Sequence, residues 1–501
     1  MNGESSEARP IPAPAGAVHS RDLRRSFVSG IAWSSAAKFS AQIVTWLSTF
    51  VVARLLSPAD YGLVQMAVVY LGFVALFNEF GIGAAVVTLR DLSKRQIAVL
   101  NGFALAAGGA SIAITLAVAR PLGWFFDEPL LPGMLVVMGV GFVFTSARTV
   151  PQALLQRALR FKLLGSIEAG QAVLAALTTV TLAWLGKGYW ALVLGSLTGV
   201  IAWAIAVLVV RRSPVAAPRL APVRHALRFG SEVFIANLAW VLYASSHFLI
   251  VGKFLGADAL GVYTFAWSIA CMPVDKITAM LMGVMPAFFS ALQHDRPALR
   301  SYFLYITEGL AFVTFPMTLG LGLVAHVFVP LVLGEQWQGA IAPLQVLSIF
   351  AAFQAVASSV PQILRVVGET RYFMLGNIVI ALGLQVAFAV GIGFGEQGIA
   401  IAWVVAYPLL SLPLYWRAFQ CIDVSVSDYL RALRPALSGS VLMTLAVLGV
   451  GRLFEGDAPS LLELAVCVGA GAATYAANAL LFHRRRLVAL RNLLLELRTP
   501  R

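Results

Sequence analysis

Charged side chains in this chain are gathered into short connections, and between them run apolar stretches of about 20 residues. Nothing else narrows the choice of fold as far. Helical stretches of that length match the hydrocarbon thickness of a bilayer, and lipid cannot satisfy open strand edges. The pattern predicts an all-α polytopic membrane protein. The spans fall at 27–53, 62–86, 98–119, 130–150, 163–185, 189–210, 229–254, 260–290, 303–326, 341–363, 373–394, 398–419, 436–453 and 461–482, about fourteen in all.

The distribution of charge tests this count. Only 12% of the 501 residues are charged and 59% are hydrophobic, against roughly 25% charged in ordinary globular chains. The formal net charge is +13. In a soluble protein that would point to nucleic acid; here it reflects Lys and Arg held in cytoplasmic connections, and no nucleic-acid partner is expected. With the N-terminus inside and strict alternation, 29 of the 36 Lys and Arg fall on the cytoplasmic side. Arg54, Arg120, Lys187, Lys253 and Arg452 fall on the other, and Lys38 and Lys276 lie within spans. A missed span would scramble this asymmetry downstream, so an even number of spans with both termini cytoplasmic is expected. Residues 1–24 read as a disordered tail with no signal-peptide core. Cys271, Cys421 and Cys467 show no metal-ligand spacing.

The chain is also duplicated. VVARLLSPADYGLVQMA (Val51 to Ala67) returns as IVGKFLGADALGVYTFA (Ile250 to Ala266), offset by 199 residues. Arg54 meets Lys253, Leu56 meets Leu255, and Gly62 meets Gly261. PQALLQRALRFKLLG (Pro151 to Gly165) is echoed by PQILRVVGETRYFMLG (Pro361 to Gly376). Each half carries six spans, so the repeats are parallel and related by an axis along the membrane normal. The expected layout is an N-tail (1–24), an N-lobe (25–212), a cytoplasmic linker (213–228) and a C-lobe (229–420). Two additional spans (421–483) and a basic cytoplasmic tail (484–501) follow. Two such lobes enclose a central cleft.

No catalytic motif is present: no GxxxxGK[ST], no HExxH, no GxSxG, and no histidine cluster for a metal. No cofactor is expected, and transport would draw on an ion gradient, the membrane potential or the substrate's own gradient. Ionisable groups inside spans are costly and mark functional interiors by default. Lys38 shares one face of span 1 with Ser34, Ser35 and Gln42, as a cavity cation or a snorkelling lysine. In span 7, Glu232, Asn237 and His247 follow in order of depth, and Asn237 is the repeat equivalent of Lys38. Glu79, Glu232, Asp275 and Glu308 are candidate coupling or gating carboxylates, and Glu168 in span 5 is similar to Glu79 and Glu308. Asp275 and Lys276 also fit a local ion pair at a Pro273 bend, and the other carboxylates fit solvated helix ends. Arg54 and Lys253 close spans 1 and 7 on the outer side, either snorkelling or forming an anion-attracting mouth.

ARLLSPADYGL, FNEFGIGAAVV, PQALLQRALRFK, GKGYWALVLG and KFLGADALGVYTFAW together resemble the Wzx-type polysaccharide and lipopolysaccharide repeat-unit flippases. These belong to the multidrug/oligosaccharidyl-lipid/polysaccharide exporter superfamily, and the resemblance spans about residues 24 to 420. It implies a flippase that moves an undecaprenyl-diphosphate-linked oligosaccharide from the inner to the outer leaflet of the bacterial cytoplasmic membrane by alternating access. Lipopolysaccharide, capsule or exopolysaccharide synthesis would follow, with a polymerase and export machinery as candidate partners. By position it implies that Lys38, Arg54 and Lys253 are the basic residues that receive the lipid diphosphate. Relatives often carry several cavity arginines, and this chain offers few. Three rival readings remain: a cation-coupled multidrug exporter, a membrane polymerase or ligase, and a non-catalytic subunit of a synthesis complex. The short outer connection near Val327 to Ala340 leaves little room for the second.

Overall fold

The computed structural model describes residues 41–484 except 90, 283–284, 286–288, 291, 294 and 455–457. Among the described residues the regular structure is entirely helical. The main helices are α1 (Ala41–Leu55), α2 (Pro58–Glu79), α3 (Ile82–Thr88), α4 (Lys94–Phe126), α5 (Leu131–Gly139), α6 (Gly141–Arg157), α7 (Phe161–Trp184) and α8 (Trp190–Val210). After the linker come α9 (Arg224–Met282), α10 (Arg296–Leu323), α11 (Ile341–Ala357), α12 (Val360–Val366), α13 (Thr370–Gly391), α14 (Gly395–Cys421), α15 (Val426–Gly451) and α16 (Leu461–Phe482).

Helix starts follow from local chemistry. Ser57 caps α2, with the Asp60 amide donating to Ser57 Oγ at 3.2 Å and the Ser57 amide donating to Asp60 Oδ2 at 3.0 Å. Pro58 occupies the first turn, where its missing N–H costs nothing. Ser93 with Gln96 starts α4 and Ser425 with Asp428 starts α15 by the same reciprocal bonds. Helix ends follow from left-handed residues. Phe80 (φ 35°) and Gly81 (φ 64°) interrupt the second span between α2 and α3. A Cβ on Gly81 would lie 2.5 Å from the Gly230 backbone, so the break also lets α9 approach closely.

Eleven helical stretches among the described residues are long and apolar enough to cross a membrane. These are unbroken helical runs among the described residues, not a count of crossings to set against the fourteen read in the sequence. The first span is expected to begin before residue 41, and only Ala41–Leu55 of it is described. At Gly256 (φ 83°, ψ −176°) the backbone leaves helical geometry, so α9 is two helices meeting at a kink with no intervening loop, in the place of expected spans 7 and 8. A single 3-10 turn, Ile392–Phe394, joins α13 to α14. The start of α9 at Arg224, five residues before the expected span, is held by burial of Val223 and Ala226 against Val99 and Val150.

The two lobes meet along α2, which packs against α9 for much of its length. A large core runs from this seam into the C-lobe, around buried Tyr263, Phe350, Phe388, Trp337 and Trp403. The last two helices belong to the C-lobe side: α15 packs on α10, and Tyr475 of α16 donates a 2.8 Å hydrogen bond to the Phe312 carbonyl. The outward faces of α13 to α16 expose Leu382, Val386, Val390, Leu445 and Leu481, an apolar exterior suited to lipid.

Candidate functional site: the outer closure and the polar interior

The repeated stretch forms the seam between the two halves. A Cβ on Gly62 would lie 1.7 Å from the Ala257 carbonyl oxygen, and a Cβ on Gly261 would lie 1.8 Å from the Pro58 carbonyl oxygen. Pro58 and Ala257 are themselves equivalent under the 199-residue offset. Each helix start therefore touches its own counterpart, and only glycine permits the approach.

The cations that flank this crossing reach into opposite lobes. Arg54, at the end of α1, donates from Nε to the Val332 carbonyl at 2.8 Å and from Nη2 to the Leu331 carbonyl. These carbonyls belong to a π-helical turn, Val329–Leu333, in the connection between α10 and α11. Lys253, the equivalent of Arg54, reaches Asp127 between α4 and α5 of the N-lobe, 2.8 Å away. Lys253 Nζ also lies 5.4 Å from the Phe125 ring centre. The end of α1 leaves carbonyls without intrahelical partners. Trp337 Nε1 donates to Ala53 O at 2.7 Å, and Gln336 Nε2 bonds Ala53 O and Arg54 O at 3.2 Å each. Trp337 is fully buried, with ring centres 5.2 Å from Tyr61 and 4.4 Å from Phe265. The GKGYW segment braces the same corner: the Tyr189 amide donates to Asp60 Oδ1 at 2.9 Å.

Deeper in the molecule, Lys276 Nζ donates to Gln42 Oε1 at 2.7 Å. Gln42 lies thirteen residues from Leu55, roughly 20 Å down α1. Lys276 thus makes a bond from the C-lobe half of the chain to the first span, besides its electrostatic interaction with neighbouring Asp275. Asp275 is exposed. Lys38 lies outside the described residues, and so do the side chains of Glu232 and Asn237.

The N-lobe interior holds a charged cluster centred on Arg148 of α6. Its guanidinium sits 3.9 Å from the Trp203 ring centre and donates to Gln152 Oε1. It also interacts electrostatically with Glu79 and Glu168. Nearby helices carry buried polar atoms that lack protein partners: both ends of the Asn78 amide, Ser111 Oγ and Trp203 Nε1, besides Arg148 Nε itself. Buried polar groups of this kind take water or a ligand. The C-lobe differs. Aligning Pro151–Gln152 with Pro361–Gln362 puts Ser358 where the N-lobe has Arg148.

His247 is fully buried in the C-lobe. Trp403 Nε1 donates to Tyr263 OH at 3.1 Å, Tyr263 OH bonds His247 Nδ1 at 2.9 Å, and His247 Nε2 bonds the Ala244 carbonyl at 3.0 Å. Trp267 and Phe248 close around the ring. His247 therefore belongs to an aromatic core, while Gln42, Arg54 and Lys253 lie along the inter-lobe seam. Glu308 is buried within α10. Arg148 and Lys276 were not among the site residues chosen from sequence. For Arg148 the available signal was its position three residues before the repeated Pro–Gln pair.

The fold and seam define a polytopic helical membrane protein whose two halves pack along α2 and α9, with α15 packed on α10 and α16 on α15. Residues 51–342, more than half of the chain, match the family model described as polysaccharide biosynthesis protein, and the chain belongs to that family. The teichuronic acid biosynthesis protein TuaB of Bacillus subtilis is 24% identical over 90% of this chain and 95% of its own length. The lipopolysaccharide biosynthesis protein WzxC of Escherichia coli is 25% identical over 74% of this chain and 78% of its own. Among solved structures, the lipid II flippase MurJ in an inward closed conformation superposes with TM-score 0.74 at 13% identity, covering 91% of this chain and 99% of that one.

Proposed function

We propose that this protein is a flippase that carries an undecaprenyl-diphosphate-linked oligosaccharide from the inner to the outer leaflet of the bacterial cytoplasmic membrane. The observation that carries the reading is the reciprocal outer closure. Each half holds the other through the equivalent cation, Arg54 or Lys253, and the equivalent glycine, Gly62 or Gly261. Two bodies joined this way open by parting along one seam, which is what alternating access requires. The polysaccharide family and the fold shared with a lipid II flippase supply the substrate class.

Flipping requires passage for a large sugar and two phosphates while the hydrocarbon tail stays in lipid. A cleft with cations in its walls lowers the cost of the diphosphate, and no bond is made or broken. In this reading Lys38 and Lys276 are the diphosphate's partners in the inner half. Arg54 and Lys253 leave their latches to receive it when the outer side opens. Glu79 and Glu168, flanking Arg148, are the coupling candidates. Both termini are cytoplasmic, and a polymerase outside takes the product.

The test is complementation of a strain lacking its own repeat-unit flippase, comparing wild type, Lys38→Arg and Lys38→Ala after membrane expression is verified. Surface polysaccharide restored by wild type and Lys38→Arg but lost with Lys38→Ala supports the reading. Wild type that restores nothing in several hosts yet exports cationic dyes would replace it with a multidrug exporter.

A further inference from the structure

A groove of about 1330 Å³ opens between α4 of the N-lobe and the start of α9. It exceeds the roughly 300–1,000 Å³ of an ordinary small-molecule pocket. Phe77 and Phe80 form its floor, and Phe103, Ala107, Ala110 and Ile114 form one wall. The small residues on α4 hollow the wall into a slot. Phe77 and Ile114 are 47% and 42% exposed, so the slot faces outward along its length. From Phe103 to Ile114 it runs roughly 16 Å along α4. That is close to one leaflet of a hydrocarbon core about 30 Å thick.

The other end of the slot is basic. Arg224, His225 and Arg228 line it, all exposed and all on the first turns of α9. The linker that delivers them is fixed to α4. Asn101 Nδ2 donates to the Ser213 and Pro214 carbonyls at 3.3 and 3.2 Å, the Ala216 amide donates to the Ala98 carbonyl at 3.0 Å, and Gln96 Nε2 donates to the Pro222 carbonyl at 2.7 Å. A Cβ on Gly102 would meet the Ala216 oxygen at 2.0 Å, so no side chain intervenes. The basic end is therefore preformed.

We infer that this groove holds an acidic glycerophospholipid of the leaflet that the basic connections face, the cytoplasmic one under the orientation proposed above. One acyl chain lies along the Ala107–Ala110 slot, and the phosphate lies at Arg224, His225 and Arg228. An apolar slot one leaflet deep, headed by cations, complements such a lipid in both length and charge. Its walls belong to both lobes, since α2 and α4 are N-lobe and α9 is C-lobe. The lipid binds the arrangement in which they are close and so biases the lobes toward it.

The experiment uses full-length protein in nanodiscs and native mass spectrometry, with phosphatidylglycerol titrated into phosphatidylcholine. The expected result is retention of phosphatidylglycerol by wild type. Binding is roughly 30-fold weaker in Arg224→Gln/Arg228→Gln and absent in Ala110→Phe, whose melting in pure phosphatidylcholine matches wild type. A control with the same charge change, Arg371→Gln/Arg434→Gln, binds as wild type does. The inference is overturned by full binding in the Arg224→Gln/Arg228→Gln variant or in Ala110→Phe, or by equal loss in the control. Retention of undecaprenyl phosphate but not phosphatidylglycerol would also overturn it and assign the groove to the substrate's tail.

Discussion

Replacing Trp337 by phenylalanine should open the outer seam by a measurable amount. The Trp337 Nε1–H to Ala53 O bond, 2.7 Å long and buried, joins the C-lobe connection to the end of α1. It exists only while the lobes are closed there. Its removal forfeits one buried neutral hydrogen bond, about 0.5–1.5 kcal/mol. Ala53 O keeps Gln336 Nε2 at 3.2 Å, so it is not orphaned. A phenyl ring retains part of the contact with Tyr61 and Phe265 but fills less of the site, at a further cost of about 0.5 kcal/mol. Together these weaken closure by about 1–2 kcal/mol, a factor of roughly 5–30 in the closed-to-open ratio. Met66 is 1% exposed, and its Cε lies 3.5 Å from the Cβ position of Gly252 across the seam. In a Met66→Cys background with Cys271, Cys421 and Cys467 replaced by alanine, a membrane-impermeant maleimide added from outside reads the open fraction. Trp337→Phe should raise the labelling rate roughly 5- to 30-fold. A rate within twofold of the background would refute the claim that Trp337 holds the seam shut.

Gly62→Ala should prevent outer closure altogether, because its Cβ would stand 1.7 Å from a backbone carbonyl that no rotamer can move. Transport should be lost while the protein still reaches the membrane, and the Met66→Cys label should react as fast as in an open reference. Tyr263→Phe should lower the melting temperature without changing the labelling rate. It strips His247 Nδ1 and Trp403 Nε1 of their buried partner, at about 1–3 kcal/mol for each group left unsatisfied. A Tyr263→Phe protein that melts with wild type would show that water replaces the hydroxyl.

Periodicity and charge carried the helical membrane fold, because lipid leaves the chain few alternatives. The internal repeat carried the equivalence of Arg54 with Lys253 and of Gly62 with Gly261. What none of these could carry was contact across the seam. Equivalence says that two residues occupy the same place in their own halves; it does not say that the two places coincide in space. Lys276 illustrates the same limit. Beside Asp275 in the chain, it reads as half of a local pair, and that interaction exists, but its side chain also donates to Gln42, 234 residues away. Arg148 was hidden differently. It precedes the PQALLQR stretch and counts as a loop cation by charge alone, but α6 continues nine residues beyond it. Its compensation comes from Trp203, Glu79 and Glu168 on three other helices, which no linear reading assembles. The Phe80–Gly81 break is a third case, since only the pair of positive φ values splits a span that reads as continuous.

The glycine crossing bears on how the two halves could have diverged. A point on a twofold axis is mapped onto itself, so a residue beside that axis meets its own copy. In an ancestor built from two identical chains, any change at this position would have been felt twice in one contact. Joining the halves into a single gene freed other pairs of sites to drift separately, and Arg148 standing where the second half has Ser358 shows how far that drift has gone. Gly62 and Gly261 gained no such freedom, because a side chain on either one strikes the backbone of the other half. Duplication made them two codons, and the axis keeps them a single constraint.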